Sequence, residues 1–126
     1  KAEELLRQAQ RLQQQAEELQ KQAEESMQKA AFRGEKAAVS KAVSKKKKQA
    51  RITWKKIEGA EGYVIQYAAK RSFKGAKKVI VNQKTSFIIR KLKGRRTYYV
   101  KVTGFRNIGG EMIYTQASAR KKVRVK

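Results

Sequence analysis

The first 33 residues place apolar side chains in steps of three and four. Ala and Leu alternate in this repeat, which assigns Ala to position a and Leu to position d of a heptad over about three repeats. The resulting helix seam consists of Leu5, Ala9, Leu12, Ala16, Leu19 and Ala23. Strong helix formers fill the rest of the segment, and Gly34 stands where a C-terminal cap is expected. We therefore predict one long amphipathic helix over residues 1–35.

The helix seam cannot be buried by a single helix and needs a second surface. A second copy of the chain, a partner helix or the following domain would supply that surface. Ala at every a position lets helices approach closely but leaves little apolar area, so the association is expected to be weak or partner-dependent. The seam thus predicts self-association or pairing with a partner. A solvated helical linker is the alternative.

From Ala37 onward the period of the apolar positions changes to two. Apolar and polar side chains alternate in the runs that begin at Ile52, Tyr63 and Tyr98. Such alternation is typical of strands with one buried face. Turn signals separate the runs, and no helix-length pattern intervenes. Seven short strands in about 90 residues predict a mainly β, antiparallel sandwich over residues 36–126.

Three motifs within this segment resemble fibronectin type III domains. Ile52-Thr53-Trp54 resembles their second strand, residues 59–67 resemble the following loop and third strand, and residues 92–102 resemble the corner before the sixth strand. The resemblance implies a seven-stranded sandwich in which the Tyr98 hydroxyl bonds back to the backbone near this corner. It also implies four structural core residues: Trp54, Tyr67, Leu92 and Tyr98.

The Lys-rich turns are most similar to repeats in secreted and surface proteins of Gram-positive bacteria. This likeness implies an extracellular or bacterial cell-surface location and a non-catalytic role in protein binding, adhesion or spacing. The loop expected over residues 106–112 contains no Arg-Gly-Asp. Because the chain starts at Lys1, we expect any export signal or anchor to lie outside it. The helix matches nothing in the family, which leaves a native stalk and an engineered fusion both open.

Composition restricts the available chemistry, because the chain contains no Cys, His or Asp. A Ser-His-Asp triad, a Cys-His pair and a His-ligated metal therefore cannot be built. Glu58 and Glu61 are interpreted as solvated loop carboxylates, and Gly109-Gly110 lacks the spacing of a phosphate-binding loop. We predict a protein that is not an enzyme and has no catalytic residue, cofactor or metal. No apolar run is long enough to predict a membrane span.

The net charge of +23 is placed very unevenly. Residues 1–33 hold six basic and six acidic groups, whereas residues 34–126 hold 27 basic and four acidic groups. A surface with this charge attracts polyanions. Three interpretations remain open: a solvated face, adhesion to cell-wall polymers or glycans, and nucleic-acid binding. Because most aromatic side chains occupy core-facing positions, no specific nucleic acid is expected. The densest basic turn contains Lys45, Lys46, Lys47 and Lys48.

One strand face is a candidate for partner binding. If Tyr98 faces inward, then Tyr99, Lys101 and Phe105 face outward on the same strand. Val64 and Gln66 of a neighbouring strand would lie beside them. We call these five residues the outer-face strip. Aromatic and apolar side chains rimmed by Lys are typical of a protein interface. A dock for the N-terminal helix and scattered surface residues are the alternatives.

Overall fold

The computed structural model describes residues 1–126 and contains one helix followed by eight strands. These are α1 (Ala2–Gly34), β1 (Val39–Val43), β2 (Ala50–Trp54), β3 (Gly62–Ala68), β4 (Lys77–Val81), β5 (Ser86–Ile89), β6 (Thr97–Ile108), β7 (Glu111–Tyr114) and β8 (Lys121–Arg124). One sheet has the order β1-β2-β5, and the other has the order β4-β3-β6-β7 with β8 also paired to β6. All strand pairs are antiparallel, which confirms the predicted sandwich behind a long helix.

The predicted count of seven strands is wrong, because the last strand is divided into β7 and β8. Between them, the Thr115 hydroxyl accepts a hydrogen bond from the amide of Gly104, and the Ser118 hydroxyl accepts one from the amide of Val102, each at 2.9 Å. Both hydroxyl residues are buried. The side chains thus satisfy the β6 amides where the regular ladder is interrupted.

The core lies between the two sheets and is built from alternate residues of β6. Tyr98, Val100 and Val102 are buried, whereas the residues between them are half-buried. Trp54 of β2 packs against Tyr63 of β3, with ring centroids 5.4 Å apart. Burial of each large apolar side chain contributes about 1.5–3 kcal/mol to folding. The period-two pattern therefore defines the inner face of the larger sheet.

The connection between β5 and β6 contains the expected tyrosine corner. The Tyr98 hydroxyl accepts a hydrogen bond from the Lys93 amide at 2.9 Å, and Leu92 is buried beside this turn. Tyr67 is half-buried and packs against the core. Together with Val79 and Phe87, it lines an open groove of about 720 Å³. The groove lies between β4 and β5, which are edge strands of different sheets and do not pair with each other.

The loop predicted over residues 106–112 is for the most part a regular hairpin. Arg106, Asn107 and Ile108 pair with residues of β7, so only Gly109-Gly110 remains as the turn. Both glycines have positive φ, 60° and 84°. This is the backbone of a type I′ turn, whose twist matches that of the flanking strands.

The helix runs directly into the sandwich. Phe32, in its last turn, is 4% exposed and belongs to the hydrophobic core. Gly34 does not adopt the left-handed conformation expected of a glycine cap, and Glu35 continues in extended backbone. The amide of Gln116 then bonds to the Glu35 carbonyl, and the amide of Ala37 bonds to the Gln116 carbonyl. No unpaired linker separates α1 from the sheets.

Candidate interaction surfaces

The strand directions place the loops at two opposite ends of the sandwich. The β2–β3 loop and the β6–β7 turn lie at the end that receives the helix, because Gly62 pairs with Phe105 and Ile108 pairs with Glu111. The β1–β2 turn, the β5–β6 connection and residues 125–126 lie at the other end. We refer to these as the helix end and the basic pole.

Glu111 anchors α1 to the helix end. Its carboxylate lies 2.9 Å from Nζ of Lys29 and 3.5 Å from Nη2 of Arg33. The hydrogen bond from Lys29, together with the charge of that ammonium, holds the pKa of Glu111 below its ordinary value. Glu25, one turn earlier in the helix, lies against Gly109 of the β6–β7 turn. Two turns of α1 therefore rest on this hairpin.

The helix seam is left uncovered. Leu5, Leu12 and Leu19 are 66–68% exposed, and Ala9, Ala16 and Ala23 are also exposed. A residue in an α-helix advances by about 100°, so the seam lies roughly a third of a turn away from the face that docks on the sandwich. The structure thus positions the seam without burying it.

The outer-face strip is brought together on two adjacent strands. Gln66 is opposite Lys101, and Val64 is opposite Thr103. All five strip residues are half-buried, not fully exposed. One cause is Phe73 of the β3–β4 loop, whose ring centroid lies 4.4 Å from Nζ of Lys101. The alternative that the helix docks on this strip is wrong, because α1 contacts β6 and β7 at the helix end.

Phe105 of the strip lies across Gly62, where a Cβ atom would overlap its ring. The ring is tilted against that of Tyr114, with centroids 6.5 Å apart. Three exposed apolar residues on the same sheet were not predicted: Ile80, Met112 and Tyr114, which are 71%, 44% and 52% exposed. The run Val79-Ile80-Val81 is apolar at every position and so conceals which face Ile80 occupies.

The basic pole gathers three chain segments that are distant in sequence. The carbonyl of Lys48 accepts a hydrogen bond from the Leu92 amide at 3.0 Å, and the Lys48 amide donates to the Lys126 carbonyl at 2.9 Å. The amide of Arg95 donates to the Val125 carbonyl at 2.8 Å. The segments carry eleven exposed basic side chains and no acidic one: Lys45, Lys46, Lys47, Lys48, Arg90, Lys91, Lys93, Arg95, Arg96, Arg124 and Lys126.

Three residues of the basic pole have left-handed backbone. Lys48, Lys91 and Arg95 have φ of 60°, 58° and 62°. In the whole chain one other non-glycine residue, Phe73, shares this conformation. A residue with a Cβ atom is disfavoured there by about 1–2 kcal/mol, whereas glycine is not. Long basic side chains thus stand at positions where the backbone alone favours glycine.

The acidic residues of the sandwich lie at the opposite end. Glu35 follows the helix, Glu58 and Glu61 belong to the β2–β3 loop, and Glu111 follows the β6–β7 turn. Glu61 accepts a hydrogen bond from the Asn107 amide at 3.2 Å, and Glu58 is exposed. No group of three His, Cys, Asp or Glu side chains is arranged to hold a metal ion. Charge is therefore separated along the long axis of the sandwich.

Comparison with known proteins identifies the fold. No family model matches the chain, and no curated protein matches it. The solved structure of chicken CNTN1 FN1–FN3 domains aligns with a TM-score of 0.62 and 24% identity, over 74% of this chain and 31% of that chain. An Fn3-like protein from Clostridium thermocellum aligns with a TM-score of 0.58 and 20% identity, over 69% of this chain and 86% of that one.

The fn3 domain of human collagen alpha-1(XX) chain gives a TM-score of 0.57 at 16% identity, over 68% of this chain and 78% of that one. The sandwich thus has the fibronectin type III fold. The present chain spans about a third of the chicken three-domain structure. The single helix of this chain, α1, is not apolar enough to cross a membrane.

Proposed function

We propose that the chain is a non-catalytic binding and spacer module whose helix pairs with the helix of a second copy. Domains of this fold commonly serve as binding or spacer modules. The proposal rests on one observation: the Leu residues of the seam are two-thirds exposed although α1 is firmly anchored to the sandwich. An apolar stripe held in this way is available to another helix.

The residues beside the seam support a second copy as its partner. Charged residues at positions e and g normally decide which helices pair. Here the flanking positions are occupied mainly by glutamine: Gln8, Gln13, Gln15, Gln20 and Gln22. Uncharged flanks give no repulsion between identical helices. An antiparallel arrangement is favoured, since it places the two strongly basic sandwiches at opposite ends of a rod about 50 Å long.

Light scattering after size-exclusion chromatography tests the pairing. We expect the apparent mass to rise above 14.5 kDa and toward twice that value as the protein concentration is increased. The triple variant Leu5→Ala, Leu12→Ala, Leu19→Ala removes apolar area but keeps helix propensity, so it should stay monomeric. A wild-type chain that remains monomeric at millimolar concentration would exclude a second copy and leave a different partner helix or a linker role.

A matched control changes the opposite face of the same helix. Gln10→Ala, Gln14→Ala and Gln28→Ala alter three exposed residues that lie outside the seam. This variant should associate like the wild type, because Ala also favours the helix. Equal loss of association in both variants would contradict pairing through the seam.

The extracellular or bacterial cell-surface location remains part of the proposal. It is supported by the likeness of the Lys-rich turns to bacterial surface repeats and by the structural similarity to a bacterial Fn3-like protein. Within the sandwich, the outer-face strip is the candidate protein-binding surface. Its half-buried residues are extended by the exposed Ile80, which lies opposite Val64. The helix seam has the larger exposed apolar stripe and therefore carries the main proposal.

A further inference from the structure

We propose that the basic pole is a binding site for a linear polymer that carries closely spaced sulfate or phosphate groups. The proposal does not depend on helix pairing, because the pole lies at the far end of the sandwich from α1. Eleven exposed cations on three segments create a positive potential with no acidic side chain to offset it. The two ion pairs of the structure both involve Glu111 at the helix end. The pole cations are therefore free for a ligand.

The backbone holds these cations in a fixed arrangement. Hydrogen bonds from Leu92 to Lys48 and from Arg95 to Val125 join the β1–β2 turn, the β5–β6 connection and the last strand. The Ser44 hydroxyl accepts a hydrogen bond from the Lys126 amide at 3.0 Å, which joins the β1–β2 turn directly to residue 126. Fixed cations lose little backbone freedom when a polymer binds, which favours affinity. The pole is thus a connected surface and not three independent mobile loops.

The left-handed residues point to selection for charge at this site. Lys48, Lys91 and Arg95 occupy backbone conformations in which glycine would fold with less strain. Their side chains are exposed and form no ion pair. Folding therefore gains nothing evident from these side chains. Strained residues that persist without a structural benefit are typical of functional sites.

The surface favours a polyanion without bases over a nucleic acid. Proteins that bind single-stranded nucleic acid stack bases on exposed aromatic side chains. The one aromatic side chain of this protein that is mainly exposed, Tyr114, lies on β7 toward the helix end. The pole itself offers Lys and Arg only, which bind sulfate and phosphate groups by charge and hydrogen bonding.

The left-handed positions allow a test that separates binding from folding. The triple variant Lys48→Gly, Lys91→Gly, Arg95→Gly removes three charges while relieving backbone strain. Its melting temperature should equal or exceed that of the wild type. Its affinity for a heparin oligosaccharide and for inorganic polyphosphate, measured by calorimetry, should fall by at least about tenfold, and the slope of log affinity against log salt should shrink by up to about 2. The two probes distinguish sulfate from phosphate ligands.

A control removes the same number of charges elsewhere. The triple variant Lys55→Gln, Lys56→Gln, Lys84→Gln changes residues outside the pole. It should reduce affinity by less than about threefold. Equal losses in both variants would overturn the site in favour of overall charge. Tighter binding to a single-stranded oligonucleotide than to either probe would overturn the ligand class. If the glycine variant melts lower than the wild type, Lys46→Gln, Lys47→Gln, Lys93→Gln must show the same selective loss, or the proposal fails.

Discussion

Tyr98 shows how one side chain can fix a corner of the sandwich. Its ring is buried in the core, and its hydroxyl accepts the hydrogen bond of the Lys93 amide. Tyr99, the next residue, lies on the outer face and makes no side-chain hydrogen bond to the rest of the protein. Adjacent tyrosines thus differ in role because strand geometry directs them to opposite faces.

The pair provides a prediction at the residue scale. Tyr98→Phe keeps the ring but leaves the Lys93 amide without its acceptor, so it should destabilise the domain by about 1–2 kcal/mol. Tyr99→Phe, the matched control, should change stability by less than about 0.5 kcal/mol. Urea denaturation followed by Trp54 fluorescence measures both. Equal stability of the two variants would show that the corner hydrogen bond contributes nothing.

Sequence predicts residue positions well where alternation is strict. Around Tyr98, polar and apolar residues alternate in step with the pleat of the strand. In the structure, the residues predicted to face inward are buried and those predicted to face outward are more exposed. The left-handed residues of the basic pole could not be found in this way. Lys48, Lys91 and Arg95 are basic residues within basic turns, so no glycine marks their backbone conformation.

At the scale of elements, the attachment of α1 was the feature least accessible to sequence. The heptad and the helix formers that follow it predict a helix that ends near Gly34, but Phe32 lies outside the seam and carries no periodic signal. Its role depends on the open end of the sandwich, which exists only after the sheets have formed. The division of the last strand was missed for a related reason, since Thr115 and Ser118 replace backbone acceptors without an apolar pattern.

The contact between Lys29 and Glu111 predicts a pH effect on this attachment. The folded-state pKa of Glu111 is lowered, so its contribution to stability is present above the unfolded pKa and is lost as the pH falls through the folded value. Because the carboxylate is exposed, the effect on global stability should be small. An NMR titration of the Glu111 carboxyl carbon should give a pKa below the ordinary value of a glutamate. In Lys29→Gln the pKa of Glu111 should rise toward that ordinary value, and an unchanged pKa would contradict the assignment.

For the whole molecule, the separation of charge matters more than its total. The helix is neutral overall and the four acidic residues of the sandwich cluster at the helix end, so the uncompensated charge is concentrated toward the basic pole. Composition shows that the chain is strongly basic but not where the charge is concentrated. The location follows from strand direction, which brings turns that are far apart in sequence to one end.

Self-repulsion within this surface predicts that salt stabilises the protein. Screening reduces repulsion among cations at the pole, whereas few attractive ion pairs exist to be weakened. The melting temperature should therefore rise as sodium chloride is increased from about 0.02 M to about 0.3 M, a range in which the screening length falls well below the size of the domain. The triple glycine variant at the pole should respond less. A falling melting temperature would contradict net repulsion.

The direct passage of α1 into the core has a mechanical consequence. The helix α1 leaves the sandwich at one end and residue 126 leaves it at the other. Tension applied between the two termini therefore runs along the strands. β1 would be pulled past β2, and β8 past β6, in a shearing direction that strains several hydrogen bonds at once. Phe32 and the backbone bonds at Gln116 would transmit the force without a slack linker. The domain is therefore arranged to resist stretching as a stiff element in series with its helix.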